Sequence, residues 1–115
     1  MISGAHVILY SQDADADRAF FRDVLDFPSI DAGHGWLIFA LPAAEAAFHS
    51  AAENGKHELY LMCDDLPSEM ETLREKGVHF SPVQEERWGT LTSIALPGGG
   101  TVGLYQPKHP TALSM

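Results

Sequence analysis

The sequence predicts an α+β fold in which one chain carries two βαβββ modules, and three observations predict it. Apolar extended and helical segments run strand, helix, three strands, and the order then repeats. Ala40-Leu41-Pro42 and Ala95-Leu96-Pro97 occupy the same place in the two halves, each ahead of a short connection and a final strand. His6 of His6-Val7-Ile8-Leu9 stands seven residues before Asp13, and Glu58 of Glu58-Leu59-Tyr60-Leu61 stands seven before Asp65. Half-chains of this size bury too little surface to be stable alone. A single domain, 1-115, is therefore expected, with modules near 1-53 and 54-115.

The first strand is read at Ala5 to Ser11, which is aliphatic and β-branched. Ala16, Phe20, Phe21, Val24 and Leu25 then give one apolar helical face ending near Asp26, with Asp13, Asp15 and Asp17 where the positive end of the helix dipole favours them. Pro28, Gly33, Gly35 and Pro42 cut the following chain into short extended pieces at Ser29 to Asp31, Trp36 to Leu41 and Ala46 to Ser50. After Asn54-Gly55 the pattern restarts with a strand at Glu58 to Cys63. Asp65 can cap a second helix containing Leu66, Met70 and Leu73, and Gly77 suits the position just past its end. Three strands follow, at Val78 to Pro82, Gly89 to Leu96 and Thr101 to Gln106, the last two joined by the turn Pro97-Gly98-Gly99-Gly100.

Composition narrows the function. The 115 residues are 45% hydrophobic and 20% charged, an ordinary balance for one folded domain. One cysteine, Cys63, excludes an internal disulfide or a CxxC zinc framework. The longest mainly apolar run, Trp36 to Ala44, is far shorter than the roughly 18 residues a membrane span needs, and no basic region precedes an apolar stretch at the N-terminus, so a cytoplasmic location is expected. Seven Lys plus Arg against sixteen Asp plus Glu give a net charge of -9 with no basic cluster. Neither nucleic acid nor an anionic membrane is expected as a partner.

The duplicated module resembles the vicinal oxygen chelate superfamily, which includes glyoxalase I, extradiol dioxygenases and bleomycin resistance proteins. The resemblance runs from His6 to Pro107 and is carried by HVIL at 6-9, AFFRDVLDF at 19-27, ELYLMCDDL at 58-66, LREKGV at 73-78, WGTLTSIALPGGG at 88-100 and VGLYQP at 102-107. It implies an open, cup-shaped mixed sheet with the helices outside. Strand alternation places His6, Ile8 and Tyr10 on one face, and likewise Glu58, Tyr60 and Met62, and Thr101, Gly103 and Tyr105. Val102 and Leu104 then fall beneath the second helix, and the first faces line the cleft of the resembled fold.

In metal-using members of that superfamily the ligands come from four equivalent strand places, and the resemblance puts His6, Glu58 and Gly103 at three of them. Glycine has no ligating side chain, so the implied site is incomplete. The remaining place falls on Phe48 by direct alignment of the repeats, or on His49 if the Ala43-Ala44-Glu45 connection holds a one-residue bulge. His6, His49 and Glu58 would make a two-His, one-carboxylate set for iron, manganese, nickel, cobalt or zinc. The other expectation is no metal at all. Tyr10, Phe48, Tyr60, Met62, Trp88 and Tyr105, with Gly103 giving space, form an expected apolar pocket. His34, His57 and His109 read as solvated, and Cys63 as a buried, inert thiol.

Two functions follow. One is a small-molecule enzyme of the glyoxalase or dioxygenase type, a metal-dependent lyase or extradiol-type dioxygenase, with Glu58 as catalytic base or ligand. The alternative is a metal-free protein that binds a small molecule or confers resistance, of the bleomycin-resistance type. A homodimer is expected in either case, with Trp36 and Phe39 at its interface.

Overall fold

The computed structural model describes residues 4-114. Its elements are α1 (Ala14–Asp23), β1 (Ser29–Asp31), β2 (Leu37–Phe39), β3 (Tyr60–Met62), α2 (Leu66–Glu75), β4 (Gln84–Glu86), β5 (Gly89–Ala95) and β6 (Thr101–Pro107), followed by a 3-10 turn at Ala112–Ser114. β1 and β2 form a two-stranded antiparallel hairpin, and the second sheet has the order β3-β6-β5-β4. Because β3 runs parallel to β6 while the other pairs are antiparallel, this is a mixed, open sheet. The fold class is α+β, as the sequence predicts.

Both helices start where a side chain satisfies a free backbone N–H. Asp13 accepts from Ala16 N at 3.2 Å and Asp65 accepts from Ser68 N at 3.1 Å. The Gln106 side-chain carbonyl of β6 accepts from Leu66 N at 2.8 Å, which ties the start of α2 to the sheet. At the other end Gly77 takes φ 84, where its N–H reaches Arg74 O and Val78 N–H reaches Leu73 O. These paired bonds form a Schellman cap, which needs the left-handed residue that glycine supplies without strain.

The core gathers Leu66, Met70 and Leu73 of α2 with Val78, Ile94, Leu96, Val102 and Leu104, and α1 adds Phe21. Leu59, Leu61 and Cys63 pack against this cluster, so the strand parity read from the sequence holds on β3 as on β6. Polar links help to dock the first half on the second. Asp17 accepts from Gly98 N at 2.8 Å, and Lys76 Nζ donates to Val24 O at 3.1 Å and to Asp26 Oδ2 at 3.0 Å. Phe21 joins Phe27 and Phe39 at ring separations of 5.7 and 5.6 Å. Phe39 is half-buried against the core, and Trp36 lies exposed beneath the Arg18 guanidinium at 4.5 Å.

Several expected strands do not form. Ala5 to Ser11 and Ala46 to Ser50 carry no ladder, and α1 stops at Asp23, three residues earlier than read. Val78 to Pro82 makes only an isolated bridge, Phe80 with Ile94. An unforeseen strand appears instead at Gln84–Glu86, closed on β5 in the register Glu86 with Gly89. That register leaves a two-residue turn, Arg87-Trp88.

Candidate ligand-binding groove

Alternation along β5 and β6 decides what faces the groove. Thr92, Ile94, Val102 and Leu104 are buried on the helix side, so Leu91, Ser93, Thr101 and Gly103 lie on the other face. Over that face runs the extended segment Val7 to Tyr10 and the stretch from Gly55 to Tyr60, and the space between has a volume of about 710 Å³. The segment's apolar side chains are largely open to solvent, with Ile8 64% and Tyr10 94% exposed.

Tyr60 is the central side chain. Its partner across the parallel ladder is Gly103, and a Cβ built on Gly103 would stand closer than 3.0 Å to three carbons of the Tyr60 ring. Glycine leaves the room that the Tyr60 ring occupies against the backbone, and any larger residue would displace the ring. Tyr60 meets Tyr105 edge-on at 5.6 Å, and Tyr105 meets Trp88 edge-on at 5.7 Å. Three rings thus run along one face in the edge-to-face geometry that aromatic quadrupoles favour. His109 extends the run at 6.1 Å from Tyr105. Its Nδ1 lies 2.8 Å from Pro110 O, which can only accept, so Nδ1 carries the proton and Nε2 accepts from the Tyr105 hydroxyl at 3.3 Å. Burial raises the Tyr105 phenol above its ordinary value, and the Glu45 charge adds to that.

Glu58 sits at the groove with its carboxylate held below the usual range, first by the Tyr60 hydroxyl and then by Lys56. Lys56 Nζ lies 3.2 Å away. Burial, followed by the Glu58 hydrogen bond, raises the Tyr60 phenol. On β3 the Cys63 thiol is pushed up to about 11, mainly by burial and then by Glu69. The residue is half-buried, where the sequence predicts a buried thiol.

The expected metal ligands are not assembled. Among the described residues no three His, Cys, Asp or Glu side chains are grouped so as to hold a metal. His6 is exposed, and the exposed His49 turns Nδ1 to Ser50 O at 2.7 Å. Glu58 is committed to Lys56 and Tyr60, and the place of the fourth ligand, Gly103, is covered by the Tyr60 ring. This donor set does not fit a metal of the kind the resemblance implies. Of the expected pocket residues, Tyr10, Tyr60 and Gly103 line the groove, while Tyr105 and Trp88 continue from it through ring contacts. Met62, half-buried, pairs with Tyr105 on the ladder. Phe48 is 100% exposed and does not line the groove. Sequence reading missed His109, which it took as solvated, and Ser81 with Ser93, which line the groove. Only the cross-strand pairing brings these serines together.

The fold is shared with solved structures of glyoxalase/bleomycin resistance/dioxygenase proteins. No protein-family model matches the sequence, and no curated protein matches it. TnmS3, an antibiotic binding protein from Streptomyces sp. CB03234, is 24% identical with a TM-score of 0.63, over 94% of this chain and 100% of that one. A lactoylglutathione lyase from Agrobacterium tumefaciens is 16% identical with a TM-score of 0.65, over 90% and 92% of the two chains. A glyoxylase/bleomycin resistance protein/dioxygenase domain from Frankia sp. EAN1pec is 18% identical with a TM-score of 0.63, over 94% and 100%. Among the described residues no helix is long and apolar enough to cross a membrane.

Proposed function

We propose that this protein binds a planar, largely apolar small molecule in the groove and needs no metal to do so. The observation that carries this reading is the Tyr60 ring over Gly103. Where the resembled metal site would place a ligand, this chain places an aromatic surface continuous with Tyr105 and Trp88. Aromatic faces recognise planar apolar molecules by area and edge geometry, without net charge. The antibiotic binding protein among the similar structures supports a binding role, and the lyase among them keeps catalysis as the rival.

Thermal melting separates the two. A compound bound only by the folded state raises the transition by mass action. 2-Naphthol should raise it, and divalent cobalt, nickel, manganese, iron or zinc should not. Gly103→Glu should abolish the naphthol shift, because the new side chain drives Tyr60 off the sheet. Metal-dependent stabilisation with no response to naphthol would overturn the reading in favour of the metal-dependent enzyme.

The same reading includes a homodimer. Ile8, Tyr10, Ile30 and Phe48 leave apolar surface open to water, which a second copy would cover. Sedimentation at micromolar concentration tests this, and a monomer removes it.

A further inference from the structure

The groove has a second wall whose hydrogen bonds run in one direction. Thr92, buried on β5, donates its hydroxyl proton to Ser81 O at 2.7 Å, since a carbonyl can only accept. Thr92 Oγ1 lies 3.3 Å from Ser81 Oγ, and with its own proton spent it can only accept there. Ser81 therefore donates to Thr92. Ser93 Oγ lies 2.9 Å from Ser81 Oγ, whose proton is now also spent, so Ser93 is the donor of that pair. Ser81 Oγ accepts as well from Ser93 N at 2.9 Å, which completes its capacity.

The relay ends at Ser93. Its hydroxyl proton is given to Ser81 Oγ, and its lone pairs are left for a ligand beside its ladder partner Gly103, which also lines the groove. A hydroxyl in open solvent turns to donate or accept as the ligand requires. This one is held as an acceptor by a run of three hydrogen bonds that ends on the Ser81 carbonyl.

We infer that Ser93 selects ligands carrying a hydrogen-bond donor, a phenol O–H or an amine N–H, at the edge that meets β5, and disfavours the matching ether or ketone. The inference rests on the groove being a ligand site. It adds a chemical class to the ligand: an aromatic body against Tyr60, with a donor group toward Ser93. A ligand that offers only an acceptor to this wall faces two lone pairs and leaves a hydrogen bond unmade.

A matched pair of probes tests it by calorimetric titration. 2-Naphthol carries the donor, and 2-methoxynaphthalene keeps the ring and the oxygen while losing the proton. In the unmodified protein naphthol should bind about five- to tenfold more tightly than its methyl ether, the range that one net hydrogen bond supplies. Ser93→Ala should bring the ratio near one, with affinity for the ether unchanged. Ser81→Ala should also reduce the ratio, but by raising affinity for the ether, because the Ser93 proton is then free to donate. A purely structural role for either serine would weaken both probes together. Equal binding of the two probes to the unmodified protein overturns the donor preference and leaves the groove reading intact. Retention of the full preference in Ser93→Ala does the same. If neither probe binds, the groove reading fails and this inference with it.

Discussion

The two halves of the chain are alike in residue pattern and differ in how much of it becomes a sheet. The second half builds four strands under α2, and three α2 residues, Leu66, Met70 and Leu73, are buried. The first half builds a two-stranded hairpin, and α1 buries Phe21 alone. The difference lies in the last strand of each unit. Thr101–Pro107 alternates core-facing Val102 and Leu104 with outward Thr101, Gly103 and Tyr105, and it has a ladder partner on each side. Its counterpart in the first half, residues 43-52, holds six alanines, which bring little side chain to a pleated surface. Without that strand the β-prone His6 to Tyr10 has no neighbour to pair with. It lies instead along the groove with its apolar side chains available. An unfinished first half is thus what supplies one wall of the candidate site.

The largest effect should come from the centre of the complete half. Ile94 is fully buried, and Ile94→Ala should cost about 2 to 5 kcal/mol through lost burial and the cavity left behind. The matching change on the hairpin of the first half, Ile30→Ala, removes a side chain that is 68% exposed and should stay within about 0.5 kcal/mol. Urea midpoints compare the two directly, and equal losses would break the contrast between halves.

Next in size is the link between them. Asp17→Ala leaves Gly98 N without its half-buried acceptor and should cost about 1 to 3 kcal/mol. Asp17→Asn, which keeps an acceptor oxygen, should recover most of that loss in the same urea assay. An unchanged midpoint in the alanine variant would mean that the Asp17 bond contributes nothing to joining the halves.

Cys63 gives the smallest and most local effect. With its folded value near 11 against an ordinary 9.0, the thiol stays protonated at neutral pH, and alkylation by iodoacetamide should be slow there and accelerate only toward pH 11. Because the folded state resists ionisation, this site's contribution to stability is complete below pH 9 and is lost as pH rises from 9 to about 11. Fast labelling at pH 8 would show that β3 opens readily and that the second half is less firmly built than its sheet implies.

Much of this architecture was legible in residue order. Asp65 as a cap, Gly77 as the residue just past the helix end and the parity of β3 and β6 all follow from local chemistry, and all appear in the structure. Gln84–Glu86 was not legible, because it is polar and exposed along its length. Its pairing depends on the turn at Arg87-Trp88 and on cross-strand bonds such as Thr90 Oγ1 to Glu85 at 2.9 Å. The site was half legible. Alternation put Tyr60, Gly103 and Tyr105 on one face, but only the register that sets Tyr60 opposite Gly103 shows that the ring fills the space glycine leaves. The Ser81 to Ser93 relay joins residues twelve apart across two segments, and no spacing rule announces it.

The central claim is that this groove holds a planar molecule on aromatic side chains without a metal. Its most direct test is a calorimetric titration of 2-naphthol into protein dialysed against EDTA, repeated after adding zinc or manganese. Saturable binding at one site per chain, unchanged by either metal, is the predicted result. Absence of binding after EDTA, restored by metal, would contradict the account.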